Sequence, residues 1–137
     1  NSDSPTYSLP NLANLGRIDM NDTHLAIGCY PGGSSFKVLE LSSLSSPSYQ
    51  TVPGQDCPSE VSLNEKGFFI PSDDKIIGWN SISDALAGSS PTMSFGGRTD
   101  KTNMGTKMAS GISWDGYHFW VGEYKFSNRL LGFLPSK

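Results

Sequence analysis

An all-β fold, built from three successive units of short antiparallel strands, is what this sequence predicts. Three observations carry the prediction. First, of 137 residues 36% are apolar and 15 are Gly, enough for a core, while only 17% are charged, against about 25% in an ordinary soluble domain. Second, 15 Gly and 9 Pro make 24 turn-forming residues, roughly half again the usual share, which favours many short strands and tight turns over helices. Third, the chain repeats itself, and a repeat decides the fold before any single segment does.

The units run in order along the chain. The first has Arg17-Ile18-Asp19-Met20, then Leu25-Ala26-Ile27-Gly28, then Lys37-Val38-Leu39-Glu40-Leu41. The second has Glu60-Val61-Ser62-Leu63, Gly67-Phe68-Phe69-Ile70 and Lys75-Ile76-Ile77-Gly78-Trp79. The third has Gly111-Ile112-Ser113-Trp114, His118-Phe119-Trp120-Val121 and Arg129-Leu130-Leu131-Gly132-Phe133. Each is a short strand, a turn, an apolar strand, a polar loop and a strand opening on a basic residue. Taking basic residues 37, 75 and 129 as anchors gives spacings of 38 and 54 residues. A fourth strand follows in the first unit at Tyr49-Gln50-Thr51-Val52 and in the second at Thr92-Met93-Ser94-Phe95. The third unit has none before the chain stops at Lys137, whereas Thr6-Tyr7-Ser8-Leu9 reads as a strand with no unit of its own.

Four-stranded units of this length, arranged radially, are the blades of a β-propeller, and propellers typically hold four to eight of them. The predicted division is residues 1–10 as an N-terminal strand, 11–53 as blade 1, 54–97 as blade 2 and 98–137 as blade 3 lacking its own outer strand. A ring of three would curve too tightly, and an open arc leaves sheet edges exposed. Two copies supply six blades, with Thr6, Tyr7, Ser8 and Leu9 of each closing the third blade of the other in a two-fold ring. The opening Asn1-Ser2-Asp3-Ser4-Pro5 has neither an initiator Met nor the character of a leader, so half of a larger propeller protein is the competing expectation.

The stretch from Gly111 to Phe133 resembles an NHL repeat: a Gly-apolar-x-apolar strand, the Asp115-Gly116 turn, an apolar strand ending in the acidic Glu123, then Asn128-Arg129 and a final apolar strand. Lys75 to Ile82 is similar to the third strand of bacterial NHL-like propellers. The acidic position of Glu123 is Cys29 in the first unit and Ser72 in the second, so the pattern departs there. The resemblance implies a six-bladed ring, and NHL-like lyases and hydrolases that hold metal ions near the channel.

The apolar strand residues, Phe68, Phe69, Ile70, Phe119, Trp120, Val121, Ile76, Ile77, Leu130 and Leu131, are expected where sheets stack face to face. Function is expected on one face, where loops gather around the channel. There Tyr30, Asp56, Asp73, Asp74, Glu123 and Tyr124 are the candidate ligand-binding residues, suited to a polar small molecule, a sugar or a peptide. His24 and His118 open second strands and read as surface residues, since metal binding needs several convergent ligands; no metal and no cofactor is expected. Cys29 and Cys57 fall on the loop-rich face, where either one bridge or two buried thiols fit. A net charge of −3 offers no basic footprint for nucleic acid or an anionic membrane. The expected function is a non-enzymatic binding or scaffold module whose partners are a second copy and a small molecule or protein. A metal-dependent propeller lyase or hydrolase is the alternative. No compartment is assigned.

Overall fold

A computed structural model describes residues 5–10, 12, 14–29, 36–56, 58, 60–72, 75–96, 109–123 and 129–134, with the backbone alone at 109, 110 and 123. Eleven strands dominate it. They are β1 (Leu15–Met20), β2 (His24–Cys29), β3 (Lys37–Glu40), β4 (Tyr49–Gln50), β5 (Ser62–Asn64), β6 (Gly67–Ser72), β7 (Lys75–Trp79), β8 (Met93–Gly96), β9 (Ala109–Trp114), β10 (Phe119–Glu123) and β11 (Leu130–Phe133). Each sheet is a simple antiparallel meander of consecutive strands: β1-β2-β3-β4, then β5-β6-β7-β8, then the three-stranded β9-β10-β11. No sheet closes into a barrel.

The hairpin joining the first two strands of each sheet is made by the same local chemistry. Asn21 Oδ1 accepts the backbone N–H groups of Thr23 (2.9 Å) and His24 (2.8 Å). Asn64 Oδ1 accepts that of Lys66 at 2.9 Å. Asp115 Oδ1 accepts those of Tyr117 (2.7 Å) and His118 (2.6 Å). An Asn or Asp side chain that takes an N–H two or three residues ahead holds a turn closed without help from the rest of the fold. Gly67 is required at its turn, because φ is +132° and a Cβ would lie 1.9 Å from the Trp79 carbonyl oxygen.

The second sheet lies between the other two, which explains the unbroken apolar runs of β6 and β7. Successive side chains of a strand point to opposite faces, and here both faces are covered. Val61, Leu63, Phe68, Ile70, Ile77 and Trp79 meet Ala26, Phe36, Val38 and Val52 of the first unit. Phe69 and Ile76, with Met93 and Phe95, meet Ile112, Phe119, Val121, Leu131 and Phe133 of the third. Aromatic rings fill both layers: Phe36, Phe68 and Trp79 follow at 5.8 Å centroid spacings, and Phe69 lies 4.3 Å from Phe119. The Trp79 indole N–H donates to the Ser89 carbonyl at 2.7 Å, so this buried ring strands no donor. Burying each such side chain contributes about 2 kcal/mol.

Three details differ from expectation. Leu130 is exposed and Trp120 only partly buried rather than core, because the face of the third sheet that carries them is turned away from the second sheet. A helix, α1 (Ile82–Leu86), follows β7 between the third and fourth strands of the second unit, where no helix was expected. It is started by Ser81, whose Oγ accepts the Asp84 N–H at 3.1 Å and donates to the Asp84 carboxylate at 2.8 Å, a reciprocal cap, and Ile82 and Ala85 bury against the first core layer. The basic anchors are also not equivalent. Lys37 pairs with Ile27, whereas Ile77 pairs with Ile70 and Leu131 with Val121, so Lys37 matches Ile77, two residues beyond Lys75. A shift of two keeps every side chain on its face, which is why the sheets still stack alike.

Candidate functional site

The first strands of the three sheets lie side by side, β5 between β1 and β9, and enclose a concave cavity of about 440 Å³. Its polar lining is Arg17, Asp19, Glu60, Ser62, Asn64 and Ser113. Repetition places them. Arg17 and Asp19 alternate along β1, Glu60 and Ser62 lead into β5, and Ser113 occupies in β9 the place of Asp19 and Ser62. The ladders confirm this last equivalence: Asp19, Ser62 and Ser113 pair with Ala26, Phe69 and Trp120, the matching residues of the second strands.

Glu60 is the chemically distinctive member. Its side chain is buried, and Arg17 Nε stands 3.5 Å from its Oε1 while the rest of the guanidinium side chain is largely in solvent. Burial penalises the carboxylate and raises its pKa from 4.5 to about 7; the charge and hydrogen bond of Arg17 act the other way and only partly offset it. The lining therefore carries one net negative charge with Glu60 ionised, Arg17 standing against Asp19 and Glu60, and none with Glu60 protonated. Asp19 is held in place. Its Oδ2 accepts the Leu63 N–H at 2.8 Å and its Oδ1 the Met20 N–H at 2.9 Å, which clamps the inner edges of the first two sheets together.

Trp114 forms one wall. Its indole N–H donates to the Glu65 carboxylate, a bond that holds Glu65 below the ordinary carboxylate range, and the Lys66 ammonium sits 5.6 Å from the ring centroid. The cavity thus presents a guanidinium, two carboxylates, hydroxyls and an amide around an apolar floor of Val61, Leu63 and Ile112. This is hydrogen-bonding equipment for a small polar molecule, with one group whose charge changes near neutral pH.

Of the residues expected to form a loop-face site, Asp56 and the backbone of Glu123 fall among the described residues. Tyr30, Asp73, Asp74 and Tyr124 lie outside the described residues. Asp56 is exposed between β4 and β5. Glu123 ends β10, with its backbone opposite Ala109. Cys29, at the end of β2, is disulfide-bonded, and its N–H donates to the Pro58 carbonyl at 3.0 Å; Cys57 lies outside the described residues. Residues 5–10, which include Thr6, Tyr7, Ser8 and Leu9, form no strand in the single chain, and the Tyr49 hydroxyl donates to the Pro10 carbonyl at 2.8 Å. His24, the first residue of β2, has its Nδ1 2.8 Å from the Thr23 hydroxyl, and His118, in the turn before β10, has its Nδ1 3.5 Å from Asp115 Oδ2. Among the described residues no three His, Cys, Asp or Glu side chains converge as metal ligands.

Sequence reasoning missed Arg17, Asp19, Glu60, Ser62 and Ser113, although the signal was present. Aligned as repeats, the first strands carry polar residues at Asp19, Ser62 and Ser113, and the first two also at Arg17 and Glu60, where the third has Gly111. No family model, curated protein or solved structure matches the chain.

Proposed function

We propose that this chain is a non-enzymatic binding module, half of an NHL-like β-propeller, and that the cavity between its first strands is part of a central channel that binds a small polar ligand. The observation that carries this reading is the lining itself: equivalent positions of three repeated strands turn a buried carboxylate, a guanidinium and hydroxyls onto one concave surface. In a propeller the innermost strands border the channel, so β1, β5 and β9 would be those strands. A second copy would bring the ring to six blades, with Thr6 to Leu9 of each supplying the fourth strand that β11 lacks. This reading places a site on the first strands in addition to the loop-face residues expected from the sequence.

The test is a ligand screen with a matched variant. Amino acids, dicarboxylic acids and neutral sugars are presented to the protein in saturation-transfer NMR, then to Ser113→Trp, which fills the cavity from an exposed position. A compound that binds the parent and is lost in the variant supports the reading. Binding that survives the filled cavity, or no binding from any class at millimolar concentration, refutes it.

A further inference from the structure

Internal repetition allows each residue of the stack to be compared with its equivalents, and two sets of positions stand out. Ile18, Val61 and Ile112 are equivalent, pairing or aligned with Ile27, Ile70 and Val121 of the second strands. Each points toward the preceding sheet. Val61 and Ile112 have one and are 3% and 8% exposed, whereas Ile18 has none among the described residues and is 64% exposed. The second set is Phe36, Ile76 and Leu130, which point toward the following sheet. Phe36 and Ile76 have one and are 1% and 0% exposed, whereas Leu130 has none among the described residues and is 67% exposed. The bare positions are therefore opposite ends of one repeated contact. Met20 is likewise exposed where its equivalent Leu63 is buried.

A second device repeats across the same faces. Phe69 lies so close over Gly78 that a Cβ there would stand 2.4 Å from the ring, and Trp120 lies over Gly132 with 2.9 Å for the same atom. An aromatic ring of the second strand is laid flat across a glycine of the third in both sheets. In the second sheet that surface is the seat on which the third sheet packs. In the third sheet no further sheet of the described residues packs on that surface.

We propose that the outward face of the third sheet, with Trp120 and Leu130, seats the outward face of the first sheet, with Ile18 and Met20, of a second copy of this chain. This rests on the half-propeller reading and specifies its surfaces. The second copy is the occupant because the first sheet already carries the side chains that fit such a seat: its bare positions match those by which the second and third sheets dock on their predecessors. Two copies make the contact twice, once in each direction, and so close on a two-fold axis. Closure also completes the cavity, since Ile18 and Ser113 stand at its opposite ends and each end would meet its counterpart in the other copy. The Tyr49 to Pro10 hydrogen bond holds residues 5–10 beside this junction, within reach of the open edge of β11.

Light scattering on the whole chain tests it. The parent should have twice the 14.8 kDa chain mass. Ile18→Asp with Leu130→Asp, and separately Ile18→Lys with Leu130→Lys, should each run at 14.8 kDa with unchanged circular dichroism, and an equal mixture of the two should regain the double mass. A charge-matched mixture that reassembles excludes simple misfolding of either variant. A parent dimer that persists in both single-charge variants overturns the docking surface and leaves the half-propeller standing. A monomeric parent at tens of micromolar, or open-ended polymers in place of dimers, overturns the surface and the two-copy ring together.

Discussion

The buried carboxylate of Glu60 makes the stability of this protein depend on pH in a calculable way. In the folded state its pKa is about 7, against 4.5 ordinarily. Between those values the folded chain holds a proton that the unfolded chain has released, so stability falls as pH rises and levels off above about 7. At about 1.4 kcal/mol per pH unit, the whole interval is worth roughly 3 kcal/mol, of which about 2.5 is lost between pH 5 and pH 8. Glu60→Gln keeps the shape and hydrogen-bonding capacity but cannot ionise. The variant should lie within about 1 kcal/mol of the parent at about pH 5 and exceed it by roughly 3 kcal/mol at about pH 8, the released Arg17 costing little because it is already largely solvated. Urea unfolding of both proteins at a series of pH values measures this. Groups that titrate in common cancel in the difference. Parallel profiles, with a gap between parent and variant that does not change with pH, would refute the claim that desolvation governs Glu60.

Three further outcomes follow from local packing and covalent structure. Gly78→Ala should cost about 1–3 kcal/mol in chemical denaturation, since its methyl meets the buried Phe69 ring at 2.4 Å; Gly132→Ala should cost less in a monomeric variant, because Trp120 there is only half-buried and can yield. Reduction of the Cys29 disulfide should lower stability by about 3–4 kcal/mol if it closes the loop of about 28 residues to the chain's other cysteine, read as the difference between melts with and without reductant; equal melts would contradict that connection. Asp115→Ala should speed hydrogen exchange at the Tyr117 and His118 amides, which lose their acceptor, without equal change at β6. The bonds from those amides and from the Trp120 indole hold the Asp115 carboxyl well below the ordinary carboxylate range, so protection in the parent should persist on acidification and be lost only as pH falls through that lowered value.

Strand positions were legible because their causes are local. Asn21, Asn64 and Asp115 close their hairpins through side-chain contacts two or three residues ahead, and an apolar strand follows each of them. Helix α1 was missed although Ser81 and Asp84 form a cap, because five residues of helix leave almost no periodic signal. The candidate site was legible only in part. The alternation of Arg17 with Asp19 and of Glu60 with Ser62 is written in the chain, but nothing local marks these residues as lining a cavity that forms only where three separate strands lie side by side.

What the sequence by itself determined is the number of units, the order and pairing of their strands and the turns that join them, since hydrogen bonds between neighbouring strands and Asx turns act over a few residues. Tertiary structure decided which of two identical-looking apolar residues is core and which is surface. Ile76 and Leu130 occupy the same place in their units, and only the presence of a following sheet makes one buried and the other bare. It also decided that Glu60 titrates near neutrality, because desolvation depends on how the first two sheets close over it and not on any residue beside it in the chain.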